Sequence, residues 1–396
     1  MRVTFPVGVA VGAAILGIAL LGIWAAVGTL TAPAAPRVEK LPVSADASWP
    51  MHRGGPEMRG VATGTLPDAL RVYWRFQTGD AVVSSPVIDR GRVFVGSKDG
   101  KVYAIRLVDG KKIWSFETTD AVTAPPLVLD ERVYVGSHDG LLYCLGAEDG
   151  KQKWKFETGG KIDGAANWVK SPKGEAKWIL VGSYDHKIYA LDAGTGRRVW
   201  TFEADSYVLP GPSVSGGRIV AGACDNKVHV ADAAGGEASG SVEVGAFVVA
   251  SAALTDGRGY VGDYDGSFHC IDLAAGSVVW TYADPGEPIA SSAAVDEKRV
   301  VFGADDKRVH CVDRKSGKRI WTFATRGAVQ SSPVLCGGKV VVGSDDGRIY
   351  LLRADDGKEL WSHLIGQPVK SSPAVAGGAV VVGCDDGTVY AFGPKR

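Results

Sequence analysis

The chain has 396 residues, of which 44 are basic and 44 acidic, so its formal net charge is zero. The charges are spread along the chain without a basic run or stripe, so we expect no nucleic-acid partner. The six cysteines contain no Cys-x-x-Cys pair and no haem-attachment motif. Three of them share a repeat position that holds Ala elsewhere, which indicates small core residues.

The first predicted element is an apolar stretch, Val7–Leu30, and nothing charged lies between Arg2 and Arg37. Such a stretch is longer than the apolar part of a signal peptide, about 7–15 residues, and matches the roughly 20 residues that span a bilayer. It therefore predicts a cytoplasmic stub over 1–6 and an uncleaved transmembrane signal anchor over 7–30. Cleavage near Ala32-Pro-Ala34 remains the alternative. Both place the rest of the chain on the periplasmic or other extracytoplasmic side.

Residues 31–70 are rich in Pro, Ala and Gly and are predicted to form a tether, part of which packs on the following domain. From residue 71 onwards a unit of four short β-branched and aromatic runs repeats eight times. The second run of each unit ends in a glycine: Gly96, Gly136, Gly182, Gly222, Gly262, Gly303, Gly343 and Gly383. A period near 40 residues with four strands per unit is typical of a β-propeller.

The two ends of the repeat are incomplete in a complementary way. The tryptophan that opens the fourth strand appears first at Trp74, before the first full unit, and last at Trp361. The sequence therefore predicts an all-β, eight-bladed propeller of four-stranded antiparallel blades over 71–396, closed by pairing the strand Arg71–Gln77 with the last unit. The fourth unit has Gly240 in the Trp position, so we expect its outer strand to be the weakest packed.

Polar residues that recur with the repeat are interpreted structurally. The turn between the second and third strands always contains Asp, which suits a tight turn. The Ser-Ser-Pro blocks are attributed to crowding near the axis, since nucleophilic chemistry would need a positioned base. His229, His269 and His310 occupy a position that holds Tyr in other units; we expect hydrogen-bonding roles, because equivalent positions on adjacent blades diverge. Neither a metal site nor a catalytic residue is predicted.

Five residues are predicted to bind a partner. Asp163, Gln330 and Lys370 occupy the channel-lining position of the innermost strand, where other units have mostly apolar residues; this mixture is a poor calcium or quinone site. Trp168 and Trp178 flank the one insertion, in the third unit, and two tryptophans around charged residues resemble an interface anchor. Simple growth of a surface loop is the alternative for this insertion.

Two segments carry a resemblance to a known family. The run Ala190-Leu-Asp192-Ala-Gly-Thr195-Gly196-Arg-Arg-Val-Trp200 resembles the docking motif of propellers of the pyrroloquinoline quinone (PQQ) type. The run Trp49-Pro-Met-His-Arg-Gly-Gly-Pro is similar to the lead-in of bacterial PQQ-like repeat proteins. The resemblance implies one of two functions: a quinoprotein dehydrogenase with PQQ and calcium, or a BamB-like scaffold that assists insertion of β-barrels into the outer membrane.

The chain departs from both branches. It lacks the vicinal Cys pair of the dehydrogenases, and its first cysteine, Cys144, is far from the position of a lipoprotein anchor. We expect a non-catalytic, membrane-tethered scaffold for protein–protein interaction, without a cofactor, for which the barrel-assembly machinery is a candidate partner. The alternatives are a PQQ-dependent dehydrogenase and an extracytoplasmic sensor or ligand-binding module.

Overall fold

The computed structural model describes residues 39–44, 47–172 and 174–395. The predicted stub and signal anchor, 1–6 and 7–30, lie outside these residues. Residues Glu39–Arg396 form one compact unit. In the part of the chain that is described, no helix has the length and apolar character needed to cross a membrane.

Nearly all the regular structure is β-sheet. Before the blades come a short 3-10 helix (His52–Gly54), strand β1 (Val61–Ala62) and strand β2 (Leu70–Gln77). Blades one to four comprise β3 (Val87–Asp89), β4 (Arg92–Gly96), β5 (Lys101–Arg106), β6 (Lys112–Glu117), β7 (Leu127–Leu129), β8 (Arg132–Gly136), β9 (Leu141–Gly146), β10 (Gln152–Glu157), β11 (Asn167–Lys170), β12 (Lys177–Gly182), β13 (Lys187–Asp192), β14 (Arg198–Glu203), β15 (Ser213–Ser215), β16 (Arg218–Gly222), β17 (Lys227–Asp232) and β18 (Ala238–Glu243). Blades five to eight comprise β19 (Ala253–Thr255), β20 (Arg258–Gly262), β21 (Phe268–Asp272), β22 (Ser277–Tyr282), β23 (Ala294–Val295), β24 (Arg299–Ala304), β25 (Arg308–Asp313), β26 (Arg319–Ala324), β27 (Val334–Cys336), β28 (Lys339–Gly343), β29 (Arg348–Arg353), β30 (Glu359–Leu364), β31 (Ala374–Ala376), β32 (Ala379–Gly383) and β33 (Thr388–Pro394).

The predicted propeller of eight four-stranded antiparallel blades is confirmed. Its closure is also confirmed, because β2 pairs antiparallel with β33 and becomes the outer strand of blade eight. In that seam Trp74 lies opposite Ala391 and Phe76 opposite Val389. The seventh blade gains a fifth strand, since β1 adds in parallel to β27.

Packing between blades explains which residues repeat. A side chain at Gly96 would lie 2.4 Å from Cγ1 of Val122 in the next blade, so the position needs glycine. Phe76 of the closing strand meets Tyr103 of blade one edge-to-face, with ring centroids 5.4 Å apart, and the pairs Phe116–Tyr143 and Phe156–Tyr189 repeat this contact. Rings of these outer strands thus pack against the neighbouring blade. Outer strand β18 has five exposed residues, more than any other outer strand, as expected from Gly240.

Within the predicted tether 31–70, residues 49–62 pack on the propeller, and we call them the lead-in. Their backbone follows the innermost strands in order: Trp49 pairs with Ile88 of blade one, and the carbonyls of Pro50, Pro56, Glu57, Arg59 and Gly60 accept from Val128, Val214, Leu254, Val295 and Leu335. The innermost strands have a free edge towards the axis, and the lead-in supplies partners for it. It closes one end of the channel.

Candidate functional site

The other end of the channel opens into a cavity of about 300 Å³ that we call the channel mouth. Its walls come from residues just before the innermost strands, including Val83, Leu209 and Val249, and His52 of the lead-in lies at its floor. A cavity of similar size lies between charged loops at the opposite end, near Glu297. We regard the mouth as the candidate site because residues of all blades converge around it.

Asp163, one of the predicted site residues, lies at the mouth in a dense hydrogen-bond network. Its Oδ1 accepts from the hydroxyl of Thr123 (2.5 Å) and contacts Nε2 of His138, while its Oδ2 accepts from the hydroxyl of Tyr184 (2.6 Å). Burial alone would raise the pKa of Asp163, but these hydrogen bonds together hold it below its ordinary value. Both carboxylate oxygens are thus engaged by groups of the chain itself.

The floor of the mouth is an uncharged imidazole. His52 is only 9 % exposed, and no partner for its side chain occurs among the described residues. Burial, together with the neighbouring Arg53 charge, lowers the pKa of His52 to about 3. Arg53 itself fixes the lead-in. Its guanidinium donates to the carbonyl oxygens of Ala293 (2.9 Å), Ser332 (3.1 Å) and Pro333 (2.6 Å).

The Ser-Ser-Pro blocks form hydrogen bonds between blades that the sequence did not indicate. The first serine, such as Ser84, accepts from Gly96 in its own blade (3.2 Å) and donates to the Ala124 carbonyl in the next (3.0 Å). The second serine, such as Ser372, accepts from the backbone of Ser332 in the preceding blade (3.0 Å). These serines hold adjacent blades together, which supports a structural role.

Three aspartates form an acidic arc on one side of the mouth, Asp305, Asp345 and Asp385, at equivalent turns of blades six, seven and eight. The predicted residues Gln330 and Lys370 lie beside this arc: Gln330 donates to Asp305 (3.3 Å), and the Lys370 ammonium is 4.0 Å from Asp385. Burial raises the pKa of Asp345; Lys370 opposes this, and Asp385 and Asp305 raise it further. The arc is therefore incompletely neutralised by the chain.

Three exposed rings form an aromatic arc on the other side, Tyr207, Phe247 and Tyr264, which are 46 %, 49 % and 49 % exposed. Tyr207 packs on Tyr184 of the mouth (centroids 5.4 Å apart), and the backbone NH of Tyr264 donates to the carbonyl of Phe247 (2.9 Å). The sequence reasoning missed these rings. Comparison of the repeats could have identified two of them. Tyr207 and Phe247 lie two residues before the channel-lining position, where other units have Ala, Lys or Pro.

The insertion with Trp168 and Trp178 lies away from the mouth, at the end of the propeller that the lead-in closes. Trp178 is only 7 % exposed and pairs across the sheet with Val169. Trp168 is half-buried, and the Lys177 ammonium lies 5.4 Å from its ring centroid. The structure therefore brings Asp163, Gln330 and Lys370 to one site and leaves the two tryptophans at another. A partner-binding role for these five residues stays a prediction.

The three histidines do not converge. His229 and His310 bond Asp225 (2.7 Å) and Asp306 (3.0 Å) in their own turns, as Tyr103 bonds Asp99 (2.6 Å). His269 instead bonds Asp263 (2.8 Å). Their predicted role as hydrogen-bonding replacements for tyrosine is confirmed. Within the described ranges no group of three or more His, Cys, Asp or Glu side chains is arranged to hold a metal ion.

The residues at the mouth do not fit a quinone held with calcium. A calcium site takes six to eight oxygen ligands, whereas both oxygens of Asp163 are engaged within the chain. The next three blades line the mouth with the apolar side chains of Leu209, Val249 and Ala290, and the floor is a neutral imidazole.

Comparison with known proteins decides the family. The family model described as "Outer membrane protein assembly factor BamB" matches residues 67–176, 184–322 and 305–396. The chain belongs to this family. A model of the lambda-carrageenase β-propeller domain matches residues 128–232. The beta-alanine-activating enzyme of Danio rerio is 43 % identical over 68 residues, which are 16 % of this chain and 6 % of that protein, so the chain spans a small part of this relative.

Solved structures share the fold of this BamB-family chain at low identity. BamB of Moraxella catarrhalis is 16 % identical with a TM-score of 0.70, covering 82 % of this chain and 100 % of that one. The quinohemoprotein alcohol dehydrogenase of Comamonas testosteroni is 16 % identical with a TM-score of 0.75, covering 88 % of this chain and 81 % of that one. BamB and an alcohol dehydrogenase thus have the same architecture, and fold alone does not identify the function.

Proposed function

We propose that the chain is a non-catalytic scaffold that binds a protein partner across the channel mouth. The observation that carries this proposal is the aromatic arc, in which Tyr207, Phe247 and Tyr264 are each nearly half exposed on adjacent loops. Exposed Tyr and Phe side chains are enriched at protein interfaces, where they supply contact area at low conformational cost.

Charge around the mouth supports a particular kind of partner surface. The acidic arc of Asp305, Asp345 and Asp385 faces the same opening as the aromatic arc, and Lys370 neutralises it only in part. A partner with an apolar patch beside basic side chains matches both arcs. Such complementarity mainly sets specificity and the rate of association.

A BamB-like role in outer-membrane protein assembly is supported by the family to which the chain belongs. Placement of the propeller outside the cytoplasm is supported by the apolar stretch 7–30, which is long enough for a membrane anchor. We therefore propose an extracytoplasmic scaffold anchored by this stretch, with the barrel-assembly machinery as the first partner to examine.

The experiment is co-purification of the full chain from membranes of its native host in gentle detergent. We expect the wild-type protein to recover a defined membrane-assembly partner, and the double variant Phe247→Ala/Tyr264→Ala to lose most of it. The matched control is Ile113→Ala, which removes an equally exposed side chain (43 %) from an outer strand. Equal recovery by all three proteins, or no partner with the wild type, would contradict the proposal.

A quinoprotein dehydrogenase is the second candidate, favoured by the structural match to the quinohemoprotein alcohol dehydrogenase. It is tested by adding PQQ and Ca²⁺ to the purified full chain and measuring dye-linked alcohol oxidation. The scaffold proposal predicts no turnover above that of the free cofactor. Saturable binding with turnover would overturn it.

A sensor or ligand-binding module is the third candidate, favoured by the unpartnered His52 side chain at the floor of the mouth. Mass spectrometry of the gently purified protein would show a small molecule retained at one per chain. The scaffold proposal predicts none.

A further inference from the structure

The tryptophan of one outer strand normally covers a glycine of the next blade. This glycine lies in the turn between the third and fourth strands and has φ between 68° and 73°. A Cβ placed there would lie 2.4–2.8 Å from an indole atom of the preceding blade. We call each such glycine, with the space above it, a Trp socket; the six filled ones are Gly110 under Trp74, Gly150 under Trp114, Gly196 under Trp154, Gly236 under Trp200, Gly317 under Trp280 and Gly357 under Trp321.

The seventh socket, at Gly276 in blade five, is empty. Its φ of 65° matches the others, but no atom lies within 4 Å of a Cβ placed on it. The side chain that would fill it is absent, because the preceding blade has Gly240 in the Trp position, and Gly240 also has open space around it. Gly276 is exposed, whereas its six counterparts are buried or half-buried.

The strand beside this socket, β18, is an open edge. It pairs with β17 on one side only, so its other side presents unpaired backbone NH and CO groups. Edge strands are usually protected by charged side chains, above all Lys. Strand β18 contains no Lys or Arg, whereas β6, β10, β14 and β26 each contain at least one. The adjacent outer strand, β22, likewise contains no Lys or Arg and presents Val278 and Val279, 40 % and 41 % exposed.

We propose that β18 is the docking site for an extended segment of a protein partner, which adds to blade four as a fifth strand and places an aromatic ring in the Gly276 socket. Strand addition uses the free backbone groups for affinity. A ring on the neighbouring strand can cover an edge glycine such as Gly240. The inference rests on the scaffold function proposed above and deepens it by naming a second contact surface.

The chain itself indicates the chemistry of the segment. Six equivalent sockets hold Trp, so a Trp ring has the required shape. Glu237, directly before β18, and Glu243, its last residue, are both exposed, and the strand has no Lys or Arg, so basic residues next to the Trp would complement these carboxylates. The outer strand of blade six, Arg319–Ala324, combines these features. We infer a partner segment of alternating pattern, with Trp next to Lys or Arg.

The test measures binding of a fluorescent peptide with the sequence of residues 318–325 to the purified full chain by fluorescence anisotropy. We expect saturable binding that weakens roughly tenfold or more when the peptide Trp is replaced by Ala, a change of about 1.4 kcal/mol or more. In the protein, Gly240→Trp fills the socket from within and should weaken binding to the same extent. Ser115→Trp adds the same ring to an exposed position of the outer strand β6, in another blade, and should leave binding unchanged.

The thermal unfolding temperature of each variant shows whether a loss of peptide binding comes from the socket or from a destabilised fold. Gly240→Trp should unfold at or above the wild-type temperature, because it restores the contact made in six other blades; a clear decrease would show that the socket does not accept the ring. No binding up to about 1 mM peptide, or equal binding to Gly240→Trp and wild type, would overturn the proposal. Wild-type dimerisation that Gly240→Trp abolishes would overturn it too, since a second copy would then be the occupant.

Different results would contradict the scaffold function and the docking site on β18. If Gly240→Trp abolishes peptide binding yet the native partner still co-purifies with this variant, the scaffold function stands and the socket is not its contact. If the peptide binds as expected but no partner co-purifies with the wild type, the scaffold function fails.

Discussion

The hydroxyl group of Ser371 donates a hydrogen bond to the carbonyl oxygen of Ser84 (3.1 Å), although 287 residues separate them in the sequence. Ser331 makes the same bond to Ser371 (3.0 Å), and Ser84 makes it to Ala124 (3.0 Å). Blades eight and one are therefore joined as neighbouring blades are elsewhere in the ring. The ring is therefore closed by the same serine-to-carbonyl hydrogen bond that joins other neighbouring blades.

Ser371→Ala should destabilise the ring. Its hydroxyl also accepts from the backbone of Gly383 (3.1 Å), so the substitution leaves a buried donor and a buried acceptor unpaired. We expect the free energy of unfolding to fall by about 1–3 kcal/mol, as measured by urea denaturation. The control is Ser115→Ala on an exposed outer strand, where no comparable loss is expected. Equal effects of the two substitutions would contradict the role of Ser371.

Arg53→Met should release the lead-in. The substitution removes every bond from the guanidinium to the carbonyls of Ala293, Ser332 and Pro333 while leaving those oxygens buried. Because three buried acceptors lose their donor, we expect a loss of about 3 kcal/mol or more in the free energy of unfolding. Arg90→Met, at a side chain 67 % exposed, should cost less than about 0.5 kcal/mol. A loss at Arg53 as small as that at Arg90 would show that the guanidinium does not hold the lead-in.

His52 should make the fold sensitive to acid. Its pKa is about 3 in the folded chain and about 6.5 in an unfolded one, so below pH 6.5 protons bind preferentially to the unfolded state. Stability should fall by up to about 1.4 kcal/mol per pH unit between these values. The variant His52→Gln lacks this titration, so its unfolding temperature relative to the wild type should rise as the pH falls from 7 to 4.5. A difference independent of pH would refute this origin.

Asp345→Asn should stabilise the protein at neutral pH. Because the pKa of Asp345 is raised in the folded chain, its ionised form is disfavoured there, and the stability that the neutral form provides is lost as the pH rises through that pKa. The gain in unfolding temperature should be clear at pH 7 and vanish below about pH 4.

The neighbouring Asp346→Asn serves as the control for this prediction. The Asp346 carboxylate accepts from the Tyr350 hydroxyl (2.6 Å) and from the backbone of Arg326 and Arg348 (3.0 Å each), so its substitution should destabilise at neutral pH. Stabilisation by both substitutions would point to general charge reduction.

Blade number and ring closure could be predicted because each unit repeats the same local pattern and contacts only its neighbours. Gly96 and Trp74 recur because each packs against the next blade, and this contact is repeated from blade to blade. The lead-in could not be predicted in this way. The hydrogen-bond partners of Arg53 lie in distant blades and come within reach only when the innermost strands surround one axis. In addition, the local sequence is rich in Gly and Pro and therefore resembles a tether.

The repeat also allowed part of the candidate site to be predicted. Comparing equivalent positions identified Asp163, Gln330 and Lys370, since the channel-lining position follows from the repeat. Tyr207 and Phe247 were missed because they lie two residues earlier, in loops whose exposure depends on how neighbouring blades meet. Likewise, the Tyr position predicted that His269 would form a hydrogen bond, but its partner, Asp263, depends on the local turn.

Site-specific photo-crosslinking at position 247 tests the scaffold proposal most directly. A photoreactive phenylalanine analogue replaces Phe247 in the full chain, a second protein carries it at the control position Ile113, and both are irradiated in cells of the native host. The proposal predicts one discrete protein adduct from position 247 that position 113 does not form. No adduct at position 247, together with saturable binding of PQQ and Ca²⁺ and alcohol oxidation by the purified chain, would contradict it.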